Sequence, residues 1–148
     1  MKPISIYHKK CGNIFSIQKA FKSLNKEICP YCTCNKSKGE ATIINILDKN
    51  NKKYIYQHKY SNLLGLGNGE LSYDFYLPED NLLIEFQGEQ HYRPVELFGG
   101  QEKFEIQQEH DRRKRQYAND NNIKLLEIPY WDYENIEEIL SRELGLLA

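Results

Sequence analysis

All four cysteines of this 148-residue chain fall within its first 34 positions, at Cys11, Cys29, Cys32 and Cys34. They are not scattered. His8-x2-Cys11 and Cys29-Pro-Tyr-Cys32 form two pairs, each with its ligands three positions apart, separated by seventeen residues. Two such pairs, each gripping from a tight turn, complete a closed tetrahedral zinc site. Gly12 and Pro30 are the turn residues that such knuckles need. A lysine-rich stretch with so little apolar material cannot bury free thiols, and clustering in a chain without an export signal favours metal over disulfides. His8, Cys11, Cys29 and Cys32 are therefore the expected Zn²⁺ ligands. Cys34 is the competing fourth ligand, although a Cys32-x-Cys34 pair beside the second knuckle is cramped. A closed site of this kind stabilises a small module and performs no catalysis.

The net charge of −1 conceals an asymmetry. Residues 1–40 carry eight lysines and two acids (+6), whereas residues 41–148 carry twelve basic and nineteen acidic residues (−7). A basic head suits a polyanion, and an acidic body can gather carboxylates around cations. No apolar run approaches the ~18 residues of a membrane span, and the N-terminus lacks the apolar core of a signal peptide. An intracellular, cytoplasmic protein with no membrane partner is expected.

Hydrophobic periodicity divides the chain into a zinc-binding module at 1–36 and a larger domain at 37–148. Short strands are expected at Ile4–Tyr7 and Asn13–Phe15. A helix should start at Ser37, with Ile43, Ile44 and Leu47 as its apolar stripe. Tyr54–Gln57 reads as a strand, and a Gly-rich loop spans Gly65, Gly67 and Gly69. Leu71–Leu77 and Leu82–Gln87 read as a hairpin around Pro78–Asn81. His91–Gly100 follows as a loop, then a helix over Gln101–Asn121 and a strand at Ile123–Ile128. Asp132 should cap a final helix running through Leu140. The class is α/β, with a mixed central sheet flanked by helices.

Several polar residues resist a purely structural reading. Asp74 sits mid-strand among aromatic residues, where Asp is disfavoured. Glu85 comes eleven positions later, and across a hairpin the two carboxylates can converge on one cation such as Mg²⁺, which prefers hard oxygen ligands. Glu85 and Gln87 share one face of their strand. The plain alternative for Glu85 is an edge charge paired to a lysine. His91 leaves that strand and can act as general acid or base. Asp111 lies on the helix face expected to meet the sheet, together with Phe104, Gln108, Arg115 and Ala118, and Arg115 at i+4 could pair with it. His110 points about 100° away. Arg112–Arg115 offers phosphate contacts or simply a solvated face. Ser37-x-x-Glu40 fits a capping box.

Taken in order, Asp74-Phe-Tyr-Leu-Pro, Leu-Ile-Glu85-Phe-Gln-Gly-Glu-Gln-His91-Tyr, Phe98-Gly-Gly, His110-Asp111-Arg-Arg-Lys and Ile123-Lys-Leu-Leu-Glu-Ile-Pro-Tyr resemble the EDxHD endonucleases. These are phage-type homing enzymes whose catalytic domain is similar to the very-short-patch-repair nuclease of the PD-(D/E)XK superfamily. A treble-clef-like His-x2-Cys-Gly…Cys-Pro-x-Cys module precedes the nuclease in many of them. The resemblance implies a restriction-endonuclease-like fold and Mg²⁺-dependent hydrolysis of double-stranded DNA. It implies catalytic roles for Glu40, Asp74, His91 and Asp111, with Glu85 beside Asp74 as a Mg²⁺ ligand. Gln87 departs from the wider pattern, which keeps a lysine there, and this shifts proton handling toward His91. The competing expectation is a nucleic-acid-binding protein that keeps the fold without cutting. Lacking additional DNA-binding repeats, the chain would reach a long target as a homodimer or with a partner.

Overall fold

The computed structural model describes residues 4–7, 14–17 and 36–146. His8, Cys11, Cys29, Cys32 and Cys34 lie outside the described residues. The chain divides into two compact units, Met1–Thr42 and Ile43–Ala148. In the first, β1 (Ile4–Tyr7) and β2 (Ile14–Ile17) pair antiparallel, with Ile4 opposite Ile17 and Tyr7 opposite Ile14.

Helix α1 (Lys38–Lys49) begins in the first unit, where Ser37 and Glu40 form the expected reciprocal cap. Glu40 Oε2 accepts the Ser37 N–H at 2.6 Å, and Ser37 Oγ accepts the Glu40 N–H at 3.2 Å. Two donors with no partner inside the helix are thereby satisfied.

The second unit is a mixed α/β body built on a four-stranded sheet. Its strands are β3 (Ile55–Leu64), β4 (Glu70–Leu77), β5 (Leu82–Gln87) and β6 (Lys124–Pro129), in spatial order β3-β4-β5-β6. The first three run antiparallel, and β6 joins β5 in parallel. A parallel neighbour needs a crossover, supplied here by helix α2 (Gly100–Asp120). Gly99, at φ 98°, turns the chain into α2; a side chain there would be strained, and its Cβ would collide with Lys103. Helix α3 (Ile136–Leu144) closes the unit.

The sheet is covered on both faces. Ile43, Ile44, Ile46 and Leu47 of α1 join Phe75, Leu77, Leu82, Ile84 and Ile128, with Ile136 and Leu140 of α3, in one apolar cluster. A second cluster holds Leu63, Tyr73, Leu83 and Ala118, the last from α2. Burying each large side chain contributes roughly 1.5–3 kcal/mol. Truncating fully buried Ile84 to Ala should therefore cost ~2–5 kcal/mol once the cavity is included.

The structure corrects several sequence expectations. The strand expected at Tyr54–Gln57 continues to Leu64, because its later residues pair with Ser72 and Tyr73 through a register irregularity. Asp132 does not cap α3. Tyr130–Asn135 forms a 3-10 segment first, and Asn135 precedes the helix without a side-chain cap. The interval His91–Gly100 contains short 3-10 turns at its start and at Glu96–Phe98. Among the described residues, no helix is long and apolar enough to cross a membrane.

Candidate functional site

The site forms where β4 and β5 part. Their ladder pairs Leu77 with Leu82, Tyr76 with Leu83 and Phe75 with Ile84, and goes no further. Strict alternation would put Tyr73 and Phe75 on one face. They belong to different core clusters, so β4 changes facing around Asp74. Opposite this point Gln57 adopts φ 54°, a left-handed conformation that costs roughly 1–2 kcal/mol outside glycine. Gln57 Oε1 accepts the Ser72 hydroxyl at 2.8 Å. Asp74, half-buried, uses Oδ2 to accept the Phe86 N–H at 2.8 Å, replacing the ladder bond that the splayed strands do not make.

Glu85 follows on β5, only 4% exposed. Its carboxyl is in hydrogen-bond contact with Asp74 and feels the charge of Asp111. Burial pushes its pKa above the usual glutamate value, with Asp111 adding to the rise, while Lys114 and the Asp74 contact oppose it. The ammonium of Lys114, reaching down from α2, lies against Glu85 Oε1. That oxygen makes no directed hydrogen bond among the described residues, so the contact is that of a counter-ion. Glu85 is thus paired to a lysine, as its plain alternative required, but as a buried charge on a central strand.

Gln87 is 3% exposed, and its Oε1 accepts the Tyr92 hydroxyl at 2.5 Å. Burial, with Glu127 nearby, pushes the Tyr92 phenol up to about 12, so it remains a donor. His91 ends the 3-10 turn Glu89–His91 that leaves β5. Its Nδ1 lies 2.8 Å from Asp111 Oδ2. Asp111 is 4% exposed, and its other oxygen accepts Gln107 Nε2 at 2.9 Å. Gln108 Nε2 donates to the His91 carbonyl, tying the turn to α2. A carboxylate on Nδ1 fixes the tautomer and leaves the Nε2 lone pair for chemistry.

The structure therefore brings Asp74, Glu85, Gln87, His91 and Asp111 together on the α2 side of the sheet. Glu40 belongs to the first unit, where it caps α1. Arg115 is not the partner of Asp111: it forms a two-pronged bridge to Glu127 at 2.6 and 2.8 Å, and its side chain is 51% exposed. The face expected to meet the sheet shortens accordingly, since Gln108 is exposed as well. The basic run is not merely solvated. Arg112 and Arg113 grip Glu109, Arg113 also donates to the Leu64 carbonyl, and Lys114 turns inward. His110 stays outside the site, its Nε2 accepting the Leu66 N–H at 3.0 Å.

Lys114 escaped the sequence reading. The available signal was its place three residues after Asp111, on the same side of α2 and level with a buried strand carboxylate. An aromatic group also borders the site. Tyr92 and Trp131 have ring centres 4.5 Å apart, and Tyr130 stands 5.3 Å from Trp131. All three are exposed, Trp131 to 59%.

Among the described residues, no three His, Cys, Asp or Glu side chains are arranged as a ready metal cage. Mg²⁺ does not require one, because it keeps several waters and uses one or two carboxylates plus substrate phosphate. The adjacent carboxyls of Asp74 and Glu85 fit that demand once Lys114 leaves Glu85.

No family model matches the chain, and no solved structure matches it. Over 65 residues, 43% of this chain, it is 43% identical to "Uncharacterized protein 307L" of Invertebrate iridescent virus 6. The match spans only 33% of that relative's length. Over 113 residues, 74% of this chain, it is 32% identical to "Uncharacterized protein 094L" of Frog virus 3 (isolate Goorha), of which it covers 72%. The chain belongs to the family of this Frog virus 3 protein.

Proposed function

We propose that the chain is a Mg²⁺-dependent DNA endonuclease with a restriction-endonuclease-like core. The observation that carries this reading is the convergence of a carboxylate pair, Asp74 and Glu85, with a buried His91–Asp111 dyad at the point where two strands separate. Asp74 and Glu85 would hold the divalent cation, which supplies charge stabilisation at the phosphate when bound. Asp111 holds the imidazole by Nδ1, so Nε2 of His91 can take a proton from the attacking water or pass one to the leaving oxygen. Gln87 cannot exchange a proton at ordinary pH, and its oxygen is engaged by Tyr92. His8, Cys11, Cys29 and Cys32 would hold a structural Zn²⁺, a role that suits a four-ligand nitrogen–sulfur donor set. Lysines of the N-terminal segment would contact the DNA backbone, which positions the protein without reading sequence.

A second reading, a DNA-binding protein that does not cut, draws on Gln87 and on the ammonium already resting against Glu85. Supercoiled plasmid incubated with the protein and Mg²⁺, with and without chelator, separates the two. Chelator-sensitive nicking or linearisation that Asp74→Asn abolishes supports the nuclease. Salt-sensitive binding without cleavage under any divalent cation supports the alternative.

A further inference from the structure

Lys114 is held unlike a surface lysine. Its side chain is 13% exposed, and its ammonium touches Glu85, whose side chain is 6% exposed. That ammonium lies 5.5 Å from the centre of the Tyr73 ring, and the Tyr73 hydroxyl donates to the Lys114 carbonyl at 2.6 Å. Backbone and side chain are thus both pinned against the sheet. A buried ion pair is a poor stabilising device, because desolvating two charges offsets most of their attraction. Its presence in the middle of a carboxylate cluster calls for a different explanation.

The charges provide one. Asp74, Glu85 and Asp111 lie close enough for Glu85 to respond to both of the others. Like charges gathered in a poorly solvated place repel strongly, and a cation among them relieves that. Lys114 is the cation that contacts Glu85. At position 87, by contrast, the strand offers an uncharged glutamine whose oxygen is already bound by Tyr92.

We propose that Lys114 is the lysine of this site, delivered from α2 rather than from β5, resting on Glu85 as a resident cation and turning to the DNA phosphate when a divalent cation takes that carboxylate. The proposal rests on the nuclease reading. An ammonium on a flexible four-carbon stem can make such a move, and it carries three donors for phosphate oxygens. Because Lys114 and the divalent cation compete for Glu85, the ion should bind weakly without DNA and more strongly once a phosphate draws the ammonium away.

Lys114→Met and Lys114→Arg in the full chain test this through three readouts. Isothermal titration with Mn²⁺, without DNA and in mildly alkaline buffer, should show the Met variant binding about fivefold or more tighter, as expected on removing a nearby like charge. DNA affinity in Ca²⁺ should stay within about threefold of wild type, whereas a backbone-gripping lysine would weaken binding and lower the salt slope by about one. Single-turnover cleavage in Mg²⁺ at saturating DNA should fall ~10²-fold or more in the Met variant and recover to within about tenfold with Arg, as for a lost electrostatic contact in the transition state. Circular dichroism establishes folding, and Lys114→Gln replaces Met if Met does not fold. Cleavage by the Met or Gln variant at the wild-type rate, unchanged Mn²⁺ affinity, or a loss of cutting matched by an equal loss of DNA affinity overturns the proposal while leaving the nuclease reading intact. Failure of the wild type to cut or to bind Mn²⁺ removes the nuclease reading itself, and this proposal with it.

Discussion

Replacing Asp111 by Asn changes one atom, yet the surroundings make it a severe change. Both carboxylate oxygens are in use, one on Gln107 Nε2 at 2.9 Å and one on His91 Nδ1 at 2.8 Å. An amide has only one acceptor oxygen. If it serves Gln107, its NH2 group confronts His91 and forces the ring proton onto Nε2, the nitrogen that must accept a proton. If it flips to serve His91, Gln107 faces a donor and the negative charge opposite the imidazole is lost. One mismatched donor at a residue 4% exposed should cost ~1–3 kcal/mol of stability. For a domain of about 100 residues that lowers the melting point by ~4–8 °C per kcal/mol. The cleavage rate should fall ~10²–10⁴-fold, the range for a disabled general acid or base, which corresponds to ~2.7–5.4 kcal/mol of barrier. The assay is single-turnover plasmid cleavage at a temperature where circular dichroism shows the variant folded. His91→Ala combined with Asp111→Asn should cut no slower than His91→Ala alone, because residues acting as one unit are not additive. Additive losses would show that Asp111 acts independently of His91 and would refute the dyad.

Gln87→Ala should be far milder than His91→Ala, since its oxygen only receives the Tyr92 hydroxyl; the reverse order in single-turnover rates would take proton transfer away from His91. His110 titrates below the ordinary 6.5, chiefly through burial and then through Arg113 and Lys114. Its neutral Nε2 holds the Leu66 N–H, so this contribution to stability is complete above the ordinary value and is lost as pH falls through the lowered one. Hydrogen exchange at Leu66, corrected for intrinsic rate, should speed up between neutral and acidic pH, and an unchanged protection factor would contradict it. Elemental analysis should find one tightly held zinc ion per chain, with strong chelation melting the N-terminal module. Zinc-free folded protein, or a Cys29–Cys32 disulfide, would exclude the zinc site. Ser37→Ala should cost ~1 kcal/mol through loss of the α1 cap, and calorimetry showing no change would leave that cap without energetic weight.

Much of this architecture was legible because local chemistry and tertiary need agree. Ser37 and Glu40 announce the start of α1, and the spacing of Ile43, Ile44 and Leu47 states which side it buries. The β4–β5 hairpin follows from alternation and from the Pro78–Asn81 turn. Asp74 betrayed itself by sitting where a strand has little use for a short acid. Misreadings arose where the partner is distant in sequence. The full length of β3 is set by pairing to β4, and residues such as Lys59 have no intrinsic strand signal. Arg115 looked like the partner of Asp111 from helical spacing alone, but Glu127 on β6 draws it away and leaves Asp111 to His91. Lys114 was hidden among four consecutive basic residues, which differ only in where the helix turns them.

The single tryptophan of the chain, Trp131, stands at the rim of the site against Tyr92, whose hydroxyl bonds a residue of β5. Indole emission depends on solvent contact and on neighbouring rings, and at 59% exposure this ring has water to lose. The protein thus has a built-in optical reporter at the edge of its carboxylate cluster. A nucleobase stacked there would quench it, whereas a cation arriving at Asp74 and Glu85 would reach it only indirectly through the β5–Tyr92 link. Stopped-flow fluorescence could therefore time DNA arrival separately from metal arrival without attaching any label.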